Sequence, residues 1–554
     1  EGSSIMQERS HAFAMKSQIW LLDPRPNLPT IVDMVERGFE LSEASNTPVM
    51  LELRVRTCHL QGHFTARDNV RPSFSVSDAL NSPVRDVDRI VLPPASFLHE
   101  AEKIEKRWPA AVRFIRDAHL NEFMGAQAGD VGIIVQGGLY NTLNRALELS
   151  GLSDEFGNSK LPIYVLNVAY PLIPEEVRDF CLGKRAVLIV EEGQPEFIEH
   201  ELNTLIRRAG GQTLVIGKAV LPRAGEYTGP VMRGGIEKFL KEFSPGTPLL
   251  PSREEPRADM QLAAQVPQRP PGFCTGCPER PIFTAMKLVQ RELGDFHVSS
   301  DIGCNLFSIL PPFNIGNTTM GYGLSSAGAS AFKAAPGGKR AIAVMGDGGF
   351  WHNGLASGFG GAVFNQDDNV AIVVDNGYSA ATGGQDLLSS NVHNPFRSTG
   401  NPIAKALHGV GVGWVKSLTR TYDLAAMRAT LKDALTTRAL GPKVIVAQSE
   451  CMLNKQRRIR PQLRAAVKAG KRVIQERFGV DPETCTGDHS CIRLSGCPSL
   501  SVKPNPDPLR TDPVAHVDNS CVGCGLCGEV SHAAMLCPSF YRAQIVTNPT
   551  WADR

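Results

Sequence analysis

The sequence has no excess of charge of either sign. Its 554 residues carry 58 Lys and Arg against 56 Asp and Glu, a net charge of +2. That balance gives no basic face for nucleic acid and no polybasic membrane anchor. Long apolar runs are also missing, and none approaches the ~20 residues that a membrane helix needs. The opening stretch, EGSSIMQERSHAFAMKSQ, lacks the apolar core of a secretory leader. Cysteine, by contrast, is plentiful. There are 13, and seven of them fall between Cys485 and Cys537, among Gly, Pro and Asp. Without a leader, and with α/β patterning over a long chain, a secreted disulfide framework is not the expectation. Metal or cluster ligation in a reducing cytoplasm is. The length admits about three to five domains.

The chain is organised around Arg340 to Gln385, RAIAVMGDGGFWHNGLASGFGGAVFNQDDNVAIVVDNGYSAATGGQ. Ala341 to Met345 reads as a buried strand. Gly346, Asp347, Gly348 and Gly349 follow at its carboxyl end, where open α/β sheets place their ligands. A small-residue helical stretch comes next, then a second buried run, Val370 to Val374, ending in Asp375-Asn376. Glycines let a backbone approach phosphate closely. Asp347, the side-chain oxygen of Asn376 and the carbonyl of Tyr378 are hard donors suited to Mg²⁺, whose remaining ligands would be phosphate oxygens and water. The alternative is a glycine-rich turn in an ordinary doubly wound sheet. A bare GDG does not decide between the two. GDG, 26 residues and then Asp-Asn, with a strand before each half, favours the clamp.

That arrangement resembles the diphosphate-binding signature of thiamine diphosphate (ThDP) enzymes. The tail NGYSAATGGQ is similar to the TGGQ ending of 2-oxoacid:ferredoxin oxidoreductases. Upstream stands Cys274-Thr-Gly-Cys277-Pro-Glu-Arg280. Cys304 lies in SDIGCN, and Cys451 lies just after the strand-like KVIVAQ. A CxxC alone is compatible with redox, zinc or incidental roles. In the family resembled, this pattern holds the [4Fe-4S] cluster nearest ThDP, and thiolate is the soft ligand such clusters take. His352, in GFWHNG, is a candidate catalytic proton carrier, since its unperturbed pKa of ~6.5 suits that task; a packing or surface histidine is the alternative. Arg280 is a candidate contact for the cofactor or a substrate carboxylate.

Residues 1–66 hold one helical pattern, Pro29 to Ala44, and one strand-like run, Thr47 to Val55. Together these are too little to bury a core. They resemble the C-terminal part of a pyrimidine-binding ThDP domain, whose remainder is expected from residues outside this sequence or from a partner chain. The glutamate that activates the ThDP pyrimidine in that family is not found here. Residues 67–250 open on a polar linker. From Asp130 strand-like and helical runs alternate (DVGIIVQGG, NTLNRALELSG, IYVLNVAYP, EEVRDFCLG, AVLIVEEG, EFIEHELNTLIRRAG), which means a parallel sheet covered on both faces. This stretch is similar to the transketolase C-terminal-like domain, with Cys181 expected in its core. A Pro- and Arg-rich linker spans 251–272. A ThDP diphosphate-binding domain spans 273–480, ending in a run with nine Lys or Arg that reads as a solvated helix face.

Residues 481–554 carry Cys521-x2-Cys524-x2-Cys527 followed by Cys537-Pro538, and Cys485, Asp488 and Cys491 followed by Cys497-Pro498. In two-cluster ferredoxins three ligands come from one run and the fourth from the other run's Cys-Pro. By that rule Cys521, Cys524, Cys527 and Cys497 hold one cluster. Cys485, Cys491 and Cys537 hold the other, with Asp488 as its candidate fourth ligand. Asp488 is a harder donor than thiolate, which leaves that cluster open between a [4Fe-4S] and a [3Fe-4S] form. A zinc-binding tail is the alternative.

The fold class expected is α/β, with several doubly wound ThDP-enzyme-type domains and a C-terminal two-cluster ferredoxin-like domain. The whole pattern resembles the large (alpha-type) subunits of indolepyruvate ferredoxin oxidoreductases, in the 2-oxoacid:ferredoxin oxidoreductase family. That resemblance implies oxidative decarboxylation of aryl pyruvates to acyl-coenzyme A in the cytoplasm, using ThDP, Mg²⁺ and three iron–sulfur clusters. It also implies ferredoxin as electron acceptor, a gamma-type (beta) partner subunit and a dimer of heterodimers. Phenylglyoxylate or branched-chain 2-oxoacids fit the same chemistry. A non-oxidative ThDP decarboxylase would leave the eleven ligand-like cysteines without use.

Overall fold

The computed structural model describes residues 9–70, 75–85, 87–251, 271–332 and 338–553. The expected linker 251–272 lies almost wholly outside the described residues. The chain divides into two compact units, Glu1–Leu262 and Ala263–Arg554.

In the first unit β1 (Trp20–Leu22) and β2 (Val49–Leu51) pair in parallel across the helix Leu28–Ser45. Asn27 caps that helix by accepting a hydrogen bond from the Thr30 N–H at 2.9 Å. The strand expected over Thr47 to Val55 is therefore only three residues long, because the chain turns at Glu52 into the segment that carries Arg54. The stretch 67–85, read as a linker, contains a helix Val76–Asn81 with a Ser75/Asp78 capping box. Then follow β3 (Glu122–Gly125), β4 (Val131–Gln136), β5 (Pro162–Leu166), β6 (Val168–Tyr170), β7 (Ala186–Val190) and β8 (Leu214–Ile216). One sheet has the order β3-β5-β4-β7-β8, parallel except for β3. Ile133, Val135, Val165 and Leu188 face one side; Ile134, Tyr164, Leu166 and Ile189 face the other, where Cys181 is buried. The alternation is that of a sheet covered by helices on both faces.

The run IYVLNVAYP is two strands rather than one. Asn167 breaks it, and β6 leaves the five-stranded sheet to pair antiparallel with β1. The Asn167 side chain accepts from the Arg25 N–H (2.8 Å) and donates to Leu120 O and Glu122 (both 2.9 Å). Charge is buried beside it. Arg54 pairs with Asp23 (3.0 Å) and Glu192 (3.2 Å), and Arg9 pairs with Glu191 (2.7 Å). Asp23 also accepts from the Gly138 N–H at 3.1 Å, at the carboxyl end of β4. Gly137 has no room for a Cβ, because the Asp23 carbonyl lies against it.

In the second unit β9 (Val298–Ser300), β10 (Thr318–Thr319), β11 (Ile342–Gly346), β12 (Val370–Asp375), β13 (Trp414–Leu418) and β14 (Lys443–Gln448) form a wholly parallel sheet, ordered β10-β9-β11-β12-β14-β13. Val344, Ile372 and Ile445 pack beneath the helices Arg280–Leu293 and Leu424–Thr436, while Ala343, Val373 and Val446 face Phe350, Phe359 and Leu407. The chain leaves β9 outward to β10 and returns on the other side to β11, so a topological switch point lies between β9 and β11.

The remaining residues form β15 (Val473–Val480), β16 (Leu500–Lys503), β17 (Val514–Val517) and β18 (Phe540–Thr547), paired β15-β18 and β16-β17. Each cysteine run precedes or enters a short helix, Ser490–Ser495 or Leu526–Met535. The sheet of this tail opens at Val473, ahead of residue 481. The basic helix Met452–Lys468 buries only Met452, as a solvated face does. Leu494, Leu526 and Val530 share the core of Ile282, Phe283 and Met286, so the tail is packed into the parallel-sheet domain.

Replacing Arg54 with Met is expected to remove the buried cation that Asp23 and Glu192 share and to cost about 3–5 kcal/mol. Chemical denaturation of the full chain reads this directly. A loss below about 1 kcal/mol would mean that the network does not stabilise the unit.

Candidate active site and cysteine centres

Asp347 directly follows β11, opens the short helical turn Asp347–Gly349 and is 1 % exposed. Its Oδ1 accepts from the Gly348 N–H (2.9 Å), and its Oδ2 accepts from the N–H groups of Asn376 (3.0 Å) and Gly377 (2.7 Å). Asn376 Oδ1 accepts from the Tyr378 N–H at 3.2 Å. A carboxylate has about four acceptor positions and an amide oxygen two, so each side chain keeps one free. Gly348 lies under the Tyr322 hydroxyl and Gly349 against the Asp301 carboxylate; a Cβ at either would collide, whereas Gly346 has open space. The Tyr322 hydroxyl meets Ser379 Oγ at 2.9 Å. The TGGQ turn is closed by Ser379 N–H to Gln385 O (3.0 Å), with Gly383 and Gly384 both at positive φ.

Two carboxyls missing from the sequence reading complete this cleft. Asp301, at the end of β9 across the switch point, accepts from the Gly323 N–H at 2.6 Å through Oδ1, while its buried Oδ2 has no partner among the described residues. Glu279, just past Cys277, is 3 % exposed, and its Oε2 is likewise without a partner. Burial pushes Asp301 up to about 7. Burial and the facing Asp347 push Glu279 up to about 8. Burial and the neighbouring Asp375 push Asp347 up to about 8, against the three backbone N–H groups that it accepts. The spare oxygens of Asp347 and Asn376, with the Tyr378 carbonyl, are hard donors of the kind that fits the Mg²⁺ of a diphosphate. Asp301 was legible only as part of SDIGC, and Glu279 only as the residue after Cys-Pro.

Cys274, Cys277, Cys304 and Cys451 line one cavity with about 470 Å³ of empty space, part of it open to solvent, and Asn376 is in its wall. Burial raises the Cys304 thiol, and the charges of Glu279, Cys451 and Cys274 raise it further. In the tail, burial pushes Cys491 up to about 11, helped by Cys485, Cys537 and Asp488. Burial also raises Cys527, helped by Cys524, Cys497 and Cys521. Of the sets read from spacing, the cavity brings together Cys274, Cys277, Cys304 and Cys451. Among the described residues no three His, Cys, Asp or Glu side chains converge on a single metal ion; the four sulfurs of the first set surround a cavity. Asp488 Oδ2 accepts from the Ser490 N–H and from Arg493, each at 3.3 Å. The first and second sets touch: a Cβ on Gly276, inside Cys274-x2-Cys277, would run into Val522, inside Cys521-x2-Cys524. His352 lies in the helical stretch Phe350–Gly360, exposed and 5.1 Å from the Tyr322 ring.

Residues 301–447 match the family described as thiamine pyrophosphate enzyme, C-terminal TPP binding domain. That stretch is similar to the ThDP-binding domain of ThDP enzymes. Over nearly its whole length the chain is similar to the IorA subunits of indolepyruvate oxidoreductases. It is 27 % identical to the Pyrococcus abyssi subunit over 551 residues, covering 95 % of this chain and 78 % of the relative. The Methanothermobacter thermautotrophicus subunit is 27 % identical over 554 residues, covering 97 % and 79 %. The Archaeoglobus fulgidus subunit is 29 % identical over 515 residues, covering 90 % and 73 %. Among the described residues no helix is long and apolar enough to cross a membrane.

The raised carboxyls set a pH dependence. Between an unfolded value of about 4 and the folded value, the native state holds protons that the unfolded chain has released. Stability from these groups therefore falls as pH rises through that window and levels above about 8. Without cofactor, Glu279→Gln is expected to match the parent near pH 4 and to exceed it increasingly up to pH 8. The gap should grow by up to about tenfold in folding constant per pH unit. Urea denaturation at a series of pH values checks this, and a constant gap would contradict it.

Proposed function

We propose that the chain carries out ThDP-dependent oxidative decarboxylation of aryl pyruvates, of the indolepyruvate type, to acyl-coenzyme A, with the electrons delivered to ferredoxin. The observation that carries this is Asn376, which borders Asp347 and also walls the four-cysteine cavity. An outlet for electrons is thereby built beside the cofactor clamp.

When bound, ThDP supplies the electron sink that lets a 2-oxoacid lose CO₂. Asp347, Asn376 and the Tyr378 carbonyl would hold the Mg²⁺ of its diphosphate, with Gly346, Gly348 and Gly349 admitting the phosphates. Cys274, Cys277, Cys304 and Cys451 would hold the nearest iron–sulfur cluster. Cys497, Cys521, Cys524 and Cys527 would hold the second, and Cys485, Cys491 and Cys537, with Asp488, the third. Contact between the Gly276 and Val522 loops supports the order first, second, third. His352, at the rim beside Tyr322, would hold or deliver a proton to the substrate. In this reading residues 1–66 belong to a pyrimidine-binding domain and 67–250 to a transketolase C-terminal-like domain. A gamma-type (beta) subunit completes a cytoplasmic dimer of heterodimers.

The test is anaerobic. Indolepyruvate, phenylpyruvate, phenylglyoxylate, pyruvate and branched-chain 2-oxoacids are each added with coenzyme A to the purified assembly, and bleaching of the iron–sulfur absorbance is followed. Bleaching by aryl pyruvates alone is expected. CO₂ release without bleaching would replace this reading with a non-oxidative decarboxylase. Asp488→Cys separately addresses the third cluster. Iron analysis and EPR of the oxidised variant are expected to show added iron and loss of any [3Fe-4S] signal, and spectra matching the parent would show that Asp488 does not limit that cluster.

A further inference from the structure

Arg280 opens the helix Arg280–Leu293 and is fully buried. Its Nη1 donates to the Ser495 carbonyl at 3.1 Å, while Nε and Nη2 have no partner among the described residues. No carboxylate pairs with it there, although a buried guanidinium is costly without compensating charge. The charges that act on it are those of Cys497 and Cys524 of the tail, Cys277 of the first set and the Tyr422 hydroxyl. The junction around it is tied at several points. Thr284 Oγ1 donates to Leu494 O at 2.7 Å, and the Tyr422 hydroxyl donates to Gly276 O. Gly276 itself packs on Val522. Cysteine sulfurs carry negative charge as ligating thiolates, and then this guanidinium has partners.

We propose that Arg280 is a positioning residue for electron transfer: a fixed buried cation between the first and second cysteine sets that stabilises the added electron on the second. This rests on the function proposed above. In the step concerned, one electron leaves the first cluster, which is oxidised by one, and enters the second, which is reduced by one. A guanidinium does not give up its proton in proteins, so no proton moves with the electron. The arginine contributes charge alone, and its one hydrogen bond goes to the Ser495 carbonyl, two residues before Cys497, which places the larger effect on the tail side.

The experiment is an EPR-monitored redox titration of the anaerobically cluster-loaded full chain, as parent, Arg280→Met and Arg280→Lys. In Arg280→Met one midpoint is expected to move to more negative potential, further than the other two. Arg280→Lys is expected to recover most of that shift. The third cluster, ligated away from this junction, should hold its value and serves as the internal reference. Where Arg280→Met does not load, Arg280→Gln, which keeps a donor for Ser495 O, takes its place. A second readout needs no cluster: the cluster-free Arg280→Met chain is expected to equal or exceed the parent in urea stability, since the charge it removes has no partner there. A fully iron-loaded neutral variant with all three midpoints unmoved, or moved equally, overturns the inference, and so does a marked loss of stability in the cluster-free variant. Failure of the parent to take up iron–sulfur clusters would instead refute the function on which the inference rests, a result distinguishable from both.

Discussion

The second unit depends on carboxyls buried where their charge is costly. Glu279, Asp301 and Asp347 are buried, Asp375 acts on Asp347, and among the described residues Glu279 Oε2 and Asp301 Oδ2 have no partner. A chain holds such groups together only by protonating them or by surrounding a cation. The turns that place them are over-determined. Gly348 and Gly349 are packed under Tyr322 and Asp301, so the backbone is fixed before anything binds. In the proposed reading a cation and the phosphates it carries would complete a preformed set of donors rather than create one.

The same logic, with the sign reversed, recurs one helix away. There the orphan is a cation and the awaiting partners are thiols. The clamp and the cysteine centres are thus complementary halves of a single electrostatic plan, joined by the short stretch from Cys274 to Arg280. Within seven residues the chain supplies two soft ligands, an acid facing the clamp and a base facing the tail.

Much of this was legible because its signals are local. GDG and Asp-Asn end two strands of matching burial, and the spacing of each cysteine run survives folding unchanged. The helix from Leu28 and the strand β4 are also plain from periodicity. What stayed hidden needed pairing information. IYVLNVAYP looks like one strand, since nothing in its apolarity says that Asn167 redirects it to a second sheet. Thr47 to Val55 looks like a long strand, yet its end is taken by a buried ion pair across more than a hundred residues. Glu279 reads as an ordinary charged residue beside a motif and Arg280 as a candidate contact for cofactor or substrate, because burial of a charge is a property of the assembled core rather than of its neighbours in sequence.

The single-residue step at Asn167 has a wider meaning for how the first unit can be divided. One continuous run supplies a strand to each of two sheets, with no slack between them, so neither sheet can slide, swap or be replaced without carrying the other along. The two halves that resemble separate modules in ThDP enzymes are, in this chain, stitched at one peptide. A chain break anywhere between Leu22 and Tyr170 would therefore part β1 from the strand it pairs with.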